Sequence, residues 1–572
     1  MSKQRRIQVL ATNDCHSQMD PADDGLGGIA RRATYLRRTR ANYEPDASLL
    51  LDIGDAFLGS LYFTFFGGEV ELATMAHLGY RAMAMGNHDF DGGGLSNLRA
   101  KLQAHAPDLN VLCANVRHEG GGKVDIFHDF KVFSVGGVRV AVVGLMGGDA
   151  WQVTASSLRR GLVWEEPLPC ARRLVRHLRA KNTADVYLCC SHTGINRGDR
   201  EIAAAALFDA VLSGHEHASV TDHEWSLVSN GLANGLGGTM LQPGWYGGRH
   251  VARLELGVGP DGSAAAALTC LAATSDIIDS QYEEDAEMCA ILVPYKASFE
   301  QQIEEVVGSS WSSDFVKERM GLPDRHLYTP EVLDQSPSAK PTSLRGSSCP
   351  LGTLVAEAFR TYTTIEPQHK AADLATATAT SIARYRADFA MVNTGAIRAS
   401  LPGKGQPVRW KDIDGVWPWP DDGLPVAFKL PGSAIRNLLT ASNITRFALR
   451  MSGMCYQFTG LRYTLHMHKD APEQKLHIAE IWIGDQLLDE NAIYTGVTSR
   501  YCLEEDILST LKISGVEQLP AKPIVDCAFQ GTKSKWEPIS LKDYLMRYVT
   551  EHSPLRLLEP CYAQGTGDIY PE

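Results

Sequence analysis

Residues 7–20 read IQVLATNDCHSQMD, an apolar run that stops on Asp14 and His16. Ile7, Val9 and Leu10 have the character of a buried strand, yet two strong metal ligands sit just past its end. One Asp-x-His pair is ordinary turn chemistry, so its weight depends on how the other strands of the chain end.

They end the same way. Short apolar runs at residues 48–53, 81–85, 139–145, 185–190 and 208–213 alternate with amphipathic helical patterns, such as those near residues 27–43, 69–79, 95–105 and 170–182. That alternation predicts an α/β layered domain over about the first 260 residues. LLLDIGD delivers Asp55, AMAMGNHD delivers Asn87 and His88, VYLCCSH delivers His192, and AVLSGHEH delivers His215 and His217. Strand carboxyl ends form the ligand crevice of an open α/β sheet. Five strand ends bearing Asp, Asn or His exceed what independent turn statistics supply. The set holds donors for two metal sites, and its nitrogen and oxygen atoms without thiolate suit Mn, Zn, Co, Fe or Mg rather than a structural zinc. Asp55 has the two oxygens and the charge to bridge a pair of divalent cations. Such a pair polarises a phosphoryl oxygen and activates a shared water as hydroxide, which points to phosphate-ester hydrolysis.

The order D-x-H, G-D, G-N-H-D, a lone His and G-H-x-H, spanning residues 14–217, resembles the calcineurin-like metallophosphoesterases. With the second half of the chain, it resembles their 5'-nucleotidase family. The resemblance implies a layered β-sandwich flanked by helices, followed by a second α/β substrate-recognition domain. It also implies one metal on Asp14, His16, Asp55 and His217 and another on Asp55, Asn87, His192 and His215. His88 becomes the transition-state stabiliser and general acid, and Asp91 the partner that orients it; a carboxylate on one imidazole nitrogen settles which nitrogen carries the proton. His105, His118, His128, His177 and His250 lack ligand-spaced partners and are assigned no chemistry.

Three stretches of the second half carry the resemblance into substrate recognition. LRGSSCPLGTLVAEAF places Arg345 as an anion clamp, and NTGAIRASLPGKG places Asn393, Gly395 and Arg398 at the substrate. Arginine suits an anion because its planar fork donates two hydrogen bonds at once. VWPWPDDG and SRYCLEED put Trp419 and Tyr501 where two aromatic faces sandwich a base, with Asp421 beside Trp419 and Gly453 counted among the substrate contacts. Asp421 stands where family members carry Asn, and CLEED replaces their Gly-Gly-Asp-Gly turn.

The expected domains are 1–275 for the metallophosphoesterase part, 276–341 for a connecting helix and surface loop, and 342–572 for the substrate-binding part. The resemblance implies that the connecting helix lets the two domains rotate. At 572 residues, with 44% hydrophobic and 21% charged residues, the chain has the composition of a multidomain globular protein. A net charge of -12 argues against a nucleic-acid polymer as partner but leaves a small anionic nucleotide open. No apolar stretch reaches membrane-spanning length, the start does not read as a secretory signal, and twelve scattered cysteines suit a reducing, cytoplasmic compartment. The expected activity is removal of phosphate from nucleoside 5'-monophosphates. A 2',3'-cyclic-nucleotide phosphodiesterase with 3'-nucleotidase activity, or a nucleotide-sugar diphosphatase, uses the same chemistry. An inactive nucleotide-binding protein is the alternative of another class.

Overall fold

The computed structural model describes residues 5–22, 24–217, 239–241, 244, 246–259, 268–309, 350–365, 386–399, 401–402, 406–419, 423–448, 456–467, 476–504, 508, 513–519, 521–523, 540–553 and 555. The chain forms two compact units, Met1–Phe299 and Glu300–Glu572.

In the first unit the apolar runs become strands β1 (Arg5–Thr12), β2 (Ser48–Asp52), β3 (Ala82–Ala84) and β4 (Asn110–Leu112), paired parallel in that order. Parallel neighbours need crossovers, and helices α1 (Ile29–Arg40), α2 (Glu69–Leu78) and α3 (Gly94–His105) supply them. A second sheet carries β5 (Val138–Met146), β6 (Val186–His192) and β7 (Ala210–Ser213), again parallel, with helix α4 (Pro167–Ala180) between the first two. Strands β8 (His250–Val258) and β9 (Thr269–Ile277) extend the first sheet antiparallel, with β8 beside β1.

The two sheets stack face to face. Ile7, Val9, Leu49, Leu51 and Ala82 from one meet Val140, Val142, Val186, Leu188, Cys190 and Leu212 from the other in a single buried cluster. The residues between them point outward and are covered in turn: Ala141, Val143, Tyr187, Cys189 and Val211 pack with Cys170, Ala171, Val175 and Leu178 of α4. These strands are buried on both faces, so their sequences read as unbroken apolar runs rather than as alternation. Each fully buried Val or Leu contributes about 1.5–3 kcal/mol of transfer free energy, which makes this two-sided burial the dominant stabiliser of the unit. Cys189 and Cys190 fall on opposite faces of β6 as free thiols, and burial raises both well above the ordinary thiol range.

The acidic segment expected to connect the domains contains helix α5 (Ala286–Ile303). It lies on the first unit: Tyr295 Oη donates to Glu69 at 3.2 Å, and the Phe299 ring stacks on Phe65 with centroids 5.3 Å apart. Residues 310–349, which include most of the expected surface loop, lie outside the described residues.

The second unit is a three-layer α/β arrangement. Its central sheet contains β10 (Phe389–Asn393), β11 (Val426–Pro431) and β13 (Ile493–Thr498), with β12 (Tyr456–Thr459) at one edge beside β10. Ala390, Val392, Ala427 and Val497 face helices α6 (Pro350–Tyr362) and α8 (Leu541–Glu551) through Leu354, Phe359, Tyr544 and Leu545. On the other side Phe389, Met391, Phe428 and Leu430 face Ile435, Leu438 and Leu439 of helix α7 (Gly432–Ala448). The period-two alternation of strand side chains thus builds two cores from one sheet. Among the described residues no helix is long and apolar enough to cross a membrane.

Candidate metal centre

The strand ends of the first unit converge because their loops are hydrogen-bonded to each other. Asp14 N–H donates to Gly54 O at 2.9 Å, His16 N–H to Asp55 O at 3.0 Å and Ser17 N–H to Ala56 O at 2.9 Å. The Asp89 carboxylate adds the third loop, accepting from the backbone N–H groups of Gly86 at 2.7 Å and of Asp55 and Ala56 at 2.9 Å. Three predicted ligands in this network, and His215 beside it, take a backbone conformation that non-glycine residues avoid: φ is 46° at Asp14, 46° at His16, 55° at Asp55 and 78° at His215. Each such residue costs about 1 kcal/mol or more, and strain of this kind persists where the surroundings over-determine it. Glycine gives the remaining clearance. A Cβ on Gly54 would lie 2.8 Å from His192 Nδ1, and one on Gly86 would overlap Asp55 Oδ1.

Two groups of donors result, Asp14 with His16 and His217, and Asp55 with His192 and His215; within each group the ligand atoms lie within 4.8 Å of one another. The proton positions follow from the backbone. His192 Nδ1 donates to Ile53 O at 2.8 Å and His16 Nδ1 to Leu58 O at 3.0 Å, so the lone pair of each ring in its neutral form is on Nε2. His192 Nε2 faces Asp55 Oδ2 at 3.3 Å and Asp14 Oδ1 at 4.0 Å; His16 Nε2 faces His217 Nε2 at 3.0 Å. Asp14 Oδ1, Asn87 Oδ1 and His192 Nε2 are buried without a hydrogen-bond partner. Buried lone pairs aimed at one another and at carboxylates are costly unless a cation sits among them. The donor set therefore fits two divalent cations. Electrostatics agrees. Burial acting alone would raise the Asp14 carboxyl, but its attraction to His217 and to His192 holds it down at about 2. Burial would lower His192, yet Asp55 beside it pushes it up to about 10, and Asp55 itself is held well below the carboxylate range. The cleft is an anionic cradle that demands positive charge.

His88 and Asp91 form the neighbouring pair, with Nδ1 and Oδ2 2.8 Å apart. The His88 ring lies 5.3 Å from the His16 ring, edge to face, at the mouth of the same cleft. Its backbone N–H donates to Asp55 Oδ1 at 2.8 Å, so the His88 backbone and the Asp55 carboxylate are tied together.

Two neighbours of the site were not singled out by the motif spacing. Asp89, in the same GNHDFD string, acts through its three backbone bonds. Asp149 lies three residues beyond the end of β5, with Oδ2 2.9 Å from His215 Nε2. Its signal was present, since β5 is a sixth apolar strand running toward an acidic residue.

In the second unit Asn393 ends β10, buried, and its Oδ1 accepts from Cys502 Sγ at 3.6 Å, so the turn carrying Tyr501 (Arg500–Leu503) lies against the Asn393 loop. Arg398 Nη1 donates to Gly395 O at 3.4 Å and its guanidinium lies over the Trp419 ring, 5.2 Å from the centroid. Trp419 Nε1 donates to Ala396 O at 2.6 Å. The expected anion-binding arginine and base-stacking tryptophan thus lie against each other in one loop cluster. Trp419 packs on the core under α6, whereas Tyr501 packs on the α7 side. Arg345, Asp421 and Gly453 lie outside the described residues.

A paired-sheet sandwich with such a donor set at its strand ends defines the calcineurin-like phosphoesterases, and the family model so described matches residues 7–219. A second family model, the 5'-nucleotidase C-terminal domain, matches residues 331–510. The chain belongs to the 5'-nucleotidase family of these phosphoesterases. It is 38% identical over 150 residues to the snake venom 5'-nucleotidase of Gloydius brevicauda, covering 24% of this chain and 25% of that one. It is 27% identical over 274 residues to the 5'-nucleotidase of Vibrio cholerae, covering 44% of this chain and 49% of that one. The matched segments thus span half or less of these relatives. The fold is similar to the crystal structure of a 5'-nucleotidase precursor from Thermus thermophilus, with a TM-score of 0.69 at 23% identity over 97% of both chains.

Proposed function

We propose that the protein hydrolyses nucleoside 5'-monophosphates to nucleoside and orthophosphate, with two divalent cations (Mn, Zn, Co, Fe or Mg) in the cleft of the first unit. One observation carries the reading: the buried, unsatisfied Asp14 Oδ1 and His192 Nε2 face each other at 4.0 Å where the strand ends converge, and Asn87 Oδ1 at a third strand end is buried and unsatisfied too. When bound, the cation pair supplies Lewis-acid polarisation of a phosphoryl oxygen and acidifies water. Asp14, His16, Asp55, Asn87, His192, His215 and His217 would hold it, with Asp55 contributing to both positions. His88 donates a hydrogen bond to the phosphoryl group and a proton to the departing nucleoside oxygen. Asp91 is the positioning residue that accepts from Nδ1–H and orients the ring, which acts in its protonated form so that Nε2–H is the donor. The geometry is set before substrate arrives, because the loops carrying these groups are bonded to one another through Asp89. In the second unit, Arg398 offers positive charge to an anionic ligand, and Asn393 and Tyr501 line adjacent turns that recognise the nucleoside.

A phosphate-release screen on 5'-AMP, 3'-AMP, 2',3'-cyclic AMP and a UDP-sugar with Mn²⁺ tests the assignment. Orthophosphate from 5'-AMP is expected, and His88→Ala should lower kcat by about 10²–10⁴ with unchanged metal content. Turnover confined to the cyclic nucleotide and 3'-AMP, or to the UDP-sugar, would move the assignment to those substrates. Two bound ions with no turnover of any ester would favour a binding protein.

A further inference from the structure

His215 is held at two points. Its backbone, in the left-handed region at φ 78°, donates to Asp14 Oδ2 at 3.0 Å, and its ring Nε2 lies 2.9 Å from Asp149 Oδ2. A carboxylate accepts and does not donate, so in the neutral ring the Nε2 proton is directed at Asp149 and the lone pair resides on Nδ1. His192 is arranged the other way, with Nδ1 fixed by a backbone carbonyl and the lone pair on Nε2. The two rings lie 5.1 Å apart, tilted by 59°, and they share a donor group with Asp55.

Asp149 is itself placed by a rigid scaffold. The strand end before it is pinned by Asn115, whose Oδ1 accepts from Met146 N–H at 2.9 Å and whose Nδ2 donates to Met146 O at 2.7 Å. Gly147 N–H then donates to the carbonyl of His192 at 3.0 Å, and a Cβ at Gly147 would lie 2.5 Å from Thr193 Cα. The loop that carries Asp149 is therefore locked onto the strand end that carries His192.

We propose that Asp149 is the positioning residue of the second metal position. It selects the Nδ1 tautomer of His215, aims the ring, and adds a negative charge beside the group formed by Asp55, Asn87, His192 and His215, while the position formed by Asp14, His16, Asp55 and His217 does not depend on it. This rests on the dimetal reading above. Partners of this kind are worth about 10–100-fold in metal affinity.

The test is titration of the metal-free full chain with Mn²⁺ alone, followed by isothermal calorimetry and elemental analysis, with the absorption spectrum of the Co²⁺-loaded protein as a second readout. Wild type should take two ions. Asp149→Ala should bind one of them about 10–100-fold more weakly, leave the other unchanged and alter the Co²⁺ spectrum. Asp149→Asn should recover most of the affinity, because its amide oxygen still accepts from Nε2. Equal loss of both ions, an unaltered two-site isotherm in Asp149→Ala, or failure of Asp149→Asn to recover binding while remaining folded would each overturn the proposal. A wild-type chain that takes up no pair of ions would instead bring down the dimetal reading itself.

Discussion

Asp55 shows at single-residue scale how tightly the cleft is built. Its carboxylate shares a donor group with His192 and His215 and lies 4.0 Å from His16 Nε2 of the other group, its oxygens take up the His88 N–H and face His192, and its backbone occupies the left-handed region. The facing glycine is part of that arrangement, since a methyl at residue 86 would overlap the Asp55 carboxylate and lie 2.6 Å from its backbone nitrogen. Gly86→Ala is therefore expected to retain the fold while losing bound metal and about tenfold or more in kcat/KM, through displacement of Asp55 rather than loss of any ligand atom. Elemental analysis beside steady-state kinetics checks this; full metal content at full activity would contradict it. The motif spacing made Asp55 legible as a ligand. It held no sign of the strained backbone, because φ follows from the hydrogen bonds of three loops distant in sequence.

At the scale of elements, helix α2 supports the ligand loop through a buried acid. Ser17, next to His16, donates its hydroxyl to Glu71 Oε1, while Oε2 of the same carboxyl is buried with no partner. Burial, reinforced by Glu69 and opposed by the Ser17 hydrogen bond and Lys101, pushes Glu71 up to about 7. The sign follows directly. A group whose folded-state pKa lies above its unfolded value contributes stability that is fully present below about pH 4.5 and is lost as pH rises through about 7. Glu71→Gln should flatten that decline and be more stable relative to wild type at pH 7.5 than at pH 4, by about 1–3 kcal/mol. Thermal unfolding of both proteins across this range reads the difference, and parallel profiles would show that Glu71 does not titrate there. Amphipathic spacing predicted α2. That a glutamate of this helix would face the ligand loop depended on how the helix packs.

For the whole molecule, every predicted metal ligand lies between residues 14 and 217, inside the first compact unit. Ligand binding stabilises only the state that binds, by about 2.7 kcal/mol at a free concentration one hundred times Kd. Chelation should therefore lower protection from hydrogen exchange in strands β1, β2, β3, β6 and β7 and leave β10, β11 and β13 nearly unchanged. Exchange mass spectrometry with and without EDTA makes the comparison; equal loss in both units would mean that they unfold as one.

Much of this architecture is written locally. Val140 and Val142 alternate with Ala141 and Val143 because both faces of the second sheet are covered, and doubly buried strands are recognisable as continuous apolar runs. The ligands were legible for a related reason: parallel strands put their carboxyl ends on one edge, so Asp, Asn and His after each run must assemble there. By itself, then, the sequence determined the α/β class, the order of the strands' ligands and the residue types suited to divalent cations. Only the tertiary structure decided which imidazole nitrogen is offered at His16 and His192, that Asp149 backs His215, and that Arg398 lies over Trp419. Those choices belong to hydrogen bonds and ring contacts between side chains and backbone brought together from separate segments, and a linear pattern carries no information on distance or direction across such gaps.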